Sequence, residues 1–172
     1  MKKYNPNIHH RRSIRLKGYD YSQPGSYFIT ICIKNRICLL GEILYGKMIL
    51  NDAGRMVEKW YFELENKYTH VKCGEMIIMP NHFHCIVGAN LRVCPSTGTP
   101  LPQIVQWFKT MTTNEYIRGV KSKGWQPFDG KLWQRNYWEH IIRNERSYNN
   151  IVNYIRSNPM KWDADNINPI ND

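Results

Sequence analysis

Two histidines stand one residue apart in the apolar run IIMPNHFHCIV, residues 77–87. In a β-strand successive side chains point to opposite faces, so His82 and His84 would project from one face and Phe83 from the other. Two neutral imidazoles side by side can bind one divalent ion. Hydrogen-bonded histidines on a sheet surface explain the spacing equally well, because two nitrogen ligands alone make a weak metal site. A metal site here needs a third ligand from elsewhere in the chain.

A tyrosine and an asparagine near the end of the chain, Tyr154 and Asn158, offer that ligand and a nucleophile. They are four residues apart and would occupy neighbouring turns of one helix face. Tyr154 is rotated away from the apolar stripe around Ile151 and Ile155, so it is poorly placed to be simple core. An asparagine oxygen is a reasonable hard ligand beside imidazole. Taken singly, a surface tyrosine and a helix-terminal asparagine would also explain both residues.

The elements that must hold these residues begin with a strand, a return strand and a helix. SYFITICI (26–33) is rich in β-branched and aromatic residues, and RICLLGEIL (36–44) follows as a second strand or hairpin arm. After this segment the apolar residues recur at helical spacing, and Asn51 or Asp52 can cap the helix. Its buried stripe is predicted to comprise Ala53, Met56, Val57, Trp60 and Leu64.

A hairpin, a helix, a short strand and a final helix follow. CGEMIIM (73–79) and HFHCIV (82–87) flank a Pro-Asn pair that suits a turn, and YWEHIIR (137–143) is typical of a strand. The final helix is capped by Asn144 and ends before Pro159, because the residue before proline avoids the α conformation. The predicted apolar faces are Leu101, Ile104, Val105, Phe108 and Met111 in the second helix, and Tyr148, Ile151, Val152 and Ile155 in the last.

The order β, α, β, β, α, β, α predicts an α+β fold. A central hairpin, with helices between non-adjacent strands, favours a ferredoxin-like (split βαβ) antiparallel sheet with helices packed on it, plus a C-terminal helix carrying the tyrosine. A chain of 172 residues suits one domain. We expect a basic arm at 1–25, the domain at 26–162 and a tail at 163–172.

The charge of the chain indicates a polyanionic partner. Lysine and arginine number 24 against 14 acidic residues, giving a net charge of +10. In the second helix Trp107 and Lys109 lie off the apolar stripe, where they could stack an unpaired base beside a charge. The N-terminal arm is suited to phosphate contacts, although a solvated tail explains it equally well. Its candidate DNA-binding cations are Arg11, Arg12, Arg15 and Lys17.

The sequence gives no sign of a membrane or secreted protein. It has neither a signal-peptide core nor an apolar run long enough to cross a bilayer, so we expect no membrane partner and a cytoplasmic location. Its five cysteines include no CxxC pair, which argues against a zinc ribbon or a disulfide framework.

Three segments together resemble a known family. In this order, PNHFHCIV, WQRNYWEHIIR and the closing helix are similar to the REP-associated tyrosine transposases, within the single-tyrosine transposases of the HUH endonuclease superfamily. The resemblance runs from about Tyr27 to Trp162. The HUH element is His82-Phe83-His84, and the residues matching the family's YIxxNP helix are Tyr154, Ile155, Asn158 and Pro159.

The resemblance implies a metal-dependent enzyme that nicks and rejoins single-stranded, hairpin-bearing DNA. Carried over residue by residue, Tyr154 is the nucleophile that forms a 5′-phosphotyrosine, His82 and His84 are metal ligands, and Asn158 is the third ligand. The ion it implies is Mg²⁺ or Mn²⁺. A monomer and a homodimer with tyrosines acting in trans are both compatible with the residues.

Three alternatives differ in function. A non-catalytic single-stranded nucleic-acid-binding module of similar fold would expose aromatic residues on its central strands, where this chain has His-x-His. A replication-initiator nickase or relaxase would share the HUH chemistry, but relaxases commonly show a third histidine that is absent here. A zinc hydrolase is not supported, because neither HExxH nor CxxC occurs.

Overall fold

The computed structural model describes residues 25–89 and 99–169. They form six strands and three α-helices, and two short 3-10 segments lie at Lys34–Arg36 and Pro159–Ala164. The strands are β1 (Ser26–Cys32), β2 (Gly41–Leu44), β3 (Lys47–Leu50), β4 (Val71–Met79), β5 (His82–Ala89) and β6 (Trp138–Ile142). The helices are α1 (Asp52–Lys67), α2 (Leu101–Lys123) and α3 (Glu145–Ser157).

Four strands form an antiparallel sheet in the order β4-β5-β1-β6. Along the chain, β1 is connected to β4 through β2, β3 and α1, β4 to β5 by a hairpin, and β5 to β6 through α2, which is the arrangement expected of a split βαβ fold. The predicted α+β class with an antiparallel sheet is therefore confirmed. The β4–β5 turn is formed by Pro80 and Asn81, as the sequence predicts.

Helices α1 and α2 bury one face of this sheet. Phe83 projects from β5 between them, with its ring centroid 5.3 Å from that of Tyr61 in α1 and 5.4 Å from that of Phe108 in α2. A β-bulge interrupts β4 between Cys73 and Met76, and the Tyr61 hydroxyl lies 3.0 Å from the Gly74 carbonyl and 2.7 Å from the Ile86 carbonyl. Neighbours of Phe83 in the strand, one residue away on each side, therefore face away from this helical layer.

Helix α3 lies against the opposite face and runs from β6, where Ser147 Oγ is 3.5 Å from His140 Nε2, toward β4. Arg156 near its C-terminal end forms a two-pronged ion pair with Glu75 of β4, with Nε 2.8 Å from Oε1. Only Ile155 of the predicted apolar stripe is buried; Tyr148 is exposed, and Ile151 and Val152 are partly buried. The prediction that all four residues of this stripe are buried was therefore wrong, because a single helix covers only part of the sheet.

The segment after β1 departs from the predicted return strand. Asn35 and Arg36 take positive φ values of 58° and 54°, a conformation that asparagine tolerates, and they turn the chain out of the sheet. Leu39 and Leu40 then donate backbone hydrogen bonds to the Pro80 carbonyl. Strand β2 pairs with β3, which was not predicted, in a separate two-stranded sheet.

The end of α3 is where the sequence places it, but for a different reason. Asn158 keeps helical dihedral angles (φ −58°, ψ −45°) although it precedes Pro159. The proline then begins the 3-10 segment, a position where its missing N–H leaves no carbonyl unpaired. Asn158 is consequently buried under the returning chain. Among the described residues, no helix is long and apolar enough to cross a membrane.

We predict that Tyr61→Phe destabilises the fold, because the carbonyls of Gly74 and Ile86 at the bulge lose their buried hydroxyl donor. The expected loss in free energy of unfolding is about 1–2 kcal/mol, measured by urea denaturation. Tyr148→Phe, which removes a hydroxyl from the exposed side of α3, is the control and should change stability by less than about 0.5 kcal/mol. A Tyr61→Phe variant as stable as the wild type would contradict this role.

Candidate active site

The two histidines lie side by side at the start of β5, on the sheet face turned away from α1 and α2. His82 and His84 are 0% and 2% exposed, and their ring centroids are 4.6 Å apart. Their cross-strand neighbours in β1 are Cys32 and Thr30. Directly opposite residues share a face, so β1 supplies the side chains that flank the pair. The predicted common orientation of the two imidazoles is confirmed.

The side chain of Asn81 fixes the orientation and the tautomer of His82. Its Nδ2 donates to the backbone carbonyls of Arg36 and Ile167, both at 2.9 Å, so its Oδ1 must face the imidazole, 2.8 Å from His82 Nδ1. An amide oxygen only accepts, which assigns the proton to Nδ1 and the lone pair to Nε2. That Nε2 is buried and has no hydrogen-bond partner.

His84 is held by contacts on three sides. Its Nδ1 is 2.7 Å from the Thr30 hydroxyl, and its Nε2 is 3.4 Å from the hydroxyl of Tyr154. The Phe28 ring stacks on the imidazole at 5.4 Å and meets the Tyr154 ring edge-on at 5.9 Å. These contacts leave His84 Nε2 as the nitrogen that faces the tyrosine.

Tyr154 and Asn158 meet the histidines from α3. The phenol is 41% exposed, so a substrate can reach it, yet its ring lies 5.3 Å from that of His84. The Asn158 side chain lies near enough to the phenol to lower its pKa, while its own Oδ1 is buried without a hydrogen-bond partner. The structure therefore brings together the four residues that the sequence singled out in two separate segments.

The two histidines and the tyrosine of the site are all neutral at neutral pH. Burial lowers the pKa of His82 to about 3, and burial together with the neighbouring His82 lowers the pKa of His84 well below its usual value. Neutral imidazole is the form that binds a metal. Burial, and secondarily the Asp165 carboxylate, raises the pKa of the Tyr154 phenol, against the effect of the nearby Asn158 side chain. The phenol is accordingly protonated.

The donor atoms present fit a divalent cation. Buried polar atoms normally have partners, and two that lack one, His82 Nε2 and Asn158 Oδ1, belong to residues that the sequence proposed as ligands. Within residues 25–89 and 99–169, no group of three His, Cys, Asp or Glu side chains is arranged to hold a metal, which favours a third protein ligand of another type. An asparagine oxygen meets that requirement.

The sequence did not point to several residues of the site. Asp165 lies with its Oδ2 3.9 Å from His82 Nε2, and the Trp162 ring centroid lies 6.0 Å from that of His82. Asp165 belongs to the segment predicted as a tail, but residues 163–169 turn back onto the site through the bond from Asn81 to Ile167. Asn81 itself, directly before the first histidine, had been assigned only to the turn.

Of the residues predicted to bind DNA, only Trp107 and Lys109 lie within the described part of the chain. Arg11, Arg12, Arg15 and Lys17 lie outside the described residues. Trp107 is partly buried, with its ring centroid 5.6 Å from that of Trp60 and 6.0 Å from that of Tyr68. The ring thus packs edge-on against an aromatic cluster between α1 and α2.

Lys109 faces a different neighbour. Its Nζ lies 2.9, 3.4 and 3.1 Å from the carbonyl oxygens of Gln134, Arg135 and Asn136, and 5.5 Å from the centre of the Tyr137 ring. Burial lowers its pKa to about 8. The ammonium thus fastens the loop before β6 to α2, which the spacing of α2 alone does not show.

Comparisons with known proteins agree with this geometry. An uncharacterized protein of Haemophilus influenzae is 42% identical over 96% of this chain and 97% of its own length. The REP-associated tyrosine transposase of Escherichia coli is 25% identical over 82% of this chain and 70% of its own length. A solved structure of a REP-associated tyrosine transposase bound to a REP hairpin shares the fold, with a TM-score of 0.58 and 22% identity over 94% of this chain and 74% of that one.

The family assignment comes from the match to a family model. Residues 25–158, most of the chain, match the model described as "Transposase IS200 like". The matched range begins one residue before β1 and ends at Asn158, so it includes both the histidine pair and the helix that carries Tyr154. The chain therefore belongs to the family of IS200-like transposases.

Proposed function

We propose that this protein nicks and rejoins single-stranded, hairpin-bearing DNA through a 5′-phosphotyrosine on Tyr154, with Mg²⁺ or Mn²⁺ as cofactor. The observation that carries the proposal is that the Tyr154 hydroxyl meets the histidine pair, 3.4 Å from His84 Nε2. Two buried atoms of the same site that could bind a metal, His82 Nε2 and Asn158 Oδ1, have no hydrogen-bond partner. Family membership supports DNA transposition as the process. The relative bound to a REP hairpin supports a DNA hairpin as the substrate.

Three atoms would hold the ion: His82 Nε2, His84 Nε2 and Asn158 Oδ1. When bound, the ion would polarise the scissile phosphate and stabilise the charge that develops on its oxygens. Three protein ligands suffice, because Mg²⁺ characteristically keeps waters and substrate phosphate oxygens among its ligands. The Asp165 carboxylate, 3.9 Å from His82 Nε2, adds a negative charge that favours a cation here.

The chain's own residues position the nucleophile. Phe28 meets the phenol ring edge-on at 5.9 Å, and the His84 ring lies 5.3 Å from it, so the ring is held between these two side chains while the phenol remains 41% exposed. Attack by this oxygen on phosphorus breaks the bond to the 3′ oxygen. The phosphate stays on the 5′ side as a tyrosyl ester, and the 3′ oxygen leaves as a hydroxyl that carries the proton lost overall by the phenol.

Joining is the reverse of the same step. A 3′-hydroxyl of another DNA end attacks the phosphotyrosine, the new phosphodiester forms and the phenol regains its proton. The ester stores the energy of the original phosphodiester, so no nucleotide triphosphate is consumed. His82 and His84 are neutral throughout and act as ligands, since burial keeps their pKa values below the neutral range.

We predict that Tyr154→Phe abolishes covalent attachment, with a decrease of more than ~10³-fold, because the only atom removed is the nucleophile. Labelled single-stranded hairpin DNA is incubated with protein and Mn²⁺ and resolved on a denaturing gel. Tyr148→Phe, which alters an exposed tyrosine of the same helix, should form the adduct at the wild-type rate. DNA affinity should be unchanged in both variants.

Three results would contradict this proposal. An adduct in Tyr154→Phe would show that another residue is the nucleophile. A wild-type protein that binds the hairpin tightly with Mn²⁺ and forms no adduct would favour the non-catalytic binding module. Cleavage restricted to a plasmid origin, with no joining of a second DNA end, would favour a replication-initiator nickase.

We predict that Asn81→Ala weakens Mn²⁺ binding about 10–100-fold, because its Oδ1 holds the His82 proton on Nδ1 and leaves Nε2 for the ion. Free Mn²⁺ is measured by electron paramagnetic resonance during titration, without DNA. Asn114→Ala, at an exposed position of α2, is the control. Circular dichroism establishes that the variant is folded; unchanged Mn²⁺ affinity in folded Asn81→Ala would contradict the role of this amide.

A further inference from the structure

An exposed tryptophan lies in the same row of the sheet as His84. Thr30 of β1 pairs with His84 on one side and with Trp138 of β6 on the other. Directly opposite residues in antiparallel strands share a face, so the indole of Trp138 projects from the face that carries the histidine pair. The indole is 66% exposed, although tryptophan is among the side chains that gain most from burial.

This part of the sheet face is not covered by the described helices. Helices α1 and α2 pack on the other face, and α3 runs from β6, where Ser147 Oγ lies 3.5 Å from His140 Nε2, to β4, where Arg156 pairs with Glu75, without covering Trp138. Phe28, two residues before Thr30 and on the same face of β1, is partly exposed and meets the Tyr154 ring edge-on. Two strand spacings separate the backbones of His84 and Trp138 by roughly 10 Å, no more than about three stacked nucleotides.

Cations surround the same end of the sheet. Lys34 follows the end of β1, and Lys131 and Arg135 precede the start of β6. All three line a cleft of about 680 Å³. The isolated bridge between Ile33 and Trp133 joins the two segments that carry these cations, three residues beyond Thr30 along the chain. An aromatic surface beside a basic cleft suits a single nucleic-acid strand, whose bases stack while its phosphates meet the cations.

We propose that Trp138 stacks against an unpaired DNA base close to the scissile phosphate, and that Lys34, Lys131 and Arg135 contact the backbone beyond that base. This inference rests on the proposed function, because it takes the Tyr154 site as the position of the phosphate. Stacking tolerates any base, so Trp138 fixes the path of the strand without reading its sequence. Because stacking requires an unpaired base, the affinity for a hairpin stem alone should not depend on the indole.

The experiment measures binding without chemistry, in EDTA. Fluorescence anisotropy gives the Kd for a hairpin with a single-stranded extension and for the same hairpin with blunt ends, using Trp138→Ala, Trp138→Phe and wild type. For the extended hairpin, Trp138→Ala should weaken binding about tenfold or more, and Trp138→Phe should restore most of the loss. For the blunt hairpin all three proteins should bind alike.

A local probe identifies the stacked base. 2-Aminopurine is placed at successive positions of the extension, and its fluorescence should be quenched at one position by wild type and released in Trp138→Ala. Phe62→Ala is the matched control: Phe62 is 52% exposed on α1, in the layer on the other side of the sheet, and its loss should leave both readouts unchanged.

The outcomes separate this inference from the proposed chemistry. Tyr154→Phe should keep the wild-type Kd and quenching, so a failure of adduct formation alone would leave the stacking intact. Equal affinity of Trp138→Ala and wild type for the extended hairpin, or equal weakening for blunt and extended hairpins, would refute the stacking role. A Trp138→Ala variant that changes only the oligomeric state in sedimentation would show that the indole covers a protein interface instead.

Discussion

The candidate site depends on the hydrogen bonds of one buried amide, that of Asn81. Two carbonyl oxygens, from Arg36 and Ile167, face its nitrogen, and neither can act as a donor. The orientation of the amide is therefore fixed, and with it the proton on the Nδ1 of His82. The same side chain joins three distant parts of the chain: the segment after β1, the β4–β5 turn and the C-terminal segment. A substitution of this residue therefore removes both the hydrogen bonds between these segments and the one that orients the His82 imidazole.

The second constraint is that the two faces of β5 have different roles, one in the core and one in the site. Phe83 enters the core between α1 and α2, and this anchoring sets the direction of the residues before and after it. The histidines are thereby pressed against the layer formed by α3 and the returning chain. Desolvation keeps them neutral and leaves the lone pair of His82 Nε2 without a partner. The imidazoles are buried and the Tyr154 phenol is exposed, so a substrate can reach the phenol beside two enclosed histidines.

Much of this arrangement could be predicted from local sequence. The alternation around the histidines and the Pro-Asn turn specify the β4–β5 hairpin, and the four-residue spacing of Tyr154 and Asn158 places both on one side of α3. Tertiary contacts decided the rest. The left-handed backbone at Asn35 and Arg36 directs the chain out of the sheet, and the four-residue strands β2 and β3 are too short for a clear period.

Several side chains acquire their roles only from long-range contacts. Asp165 lies near His82 because the chain turns back after Trp162, and no local sequence pattern predicts that reversal. Lys109 resembles a surface cation in a helical projection, yet three carbonyls of the loop before β6 surround its ammonium group. Conversely, Trp138 looked like one more apolar residue of a strand. Only the register, which aligns it with Thr30 and His84, places its exposed ring beside the site.

The central claim is that the unpartnered nitrogen of His82 and the unpartnered oxygen of Asn158 are ligands of one divalent ion together with His84. Crystals grown with Mn²⁺ test it directly, through anomalous scattering collected at the manganese absorption edge. The account predicts one strong peak within about 2.0–2.4 Å of His82 Nε2, His84 Nε2 and Asn158 Oδ1, on the side facing the Tyr154 hydroxyl. A fully occupied manganese elsewhere, with no peak between the two imidazoles, would contradict it.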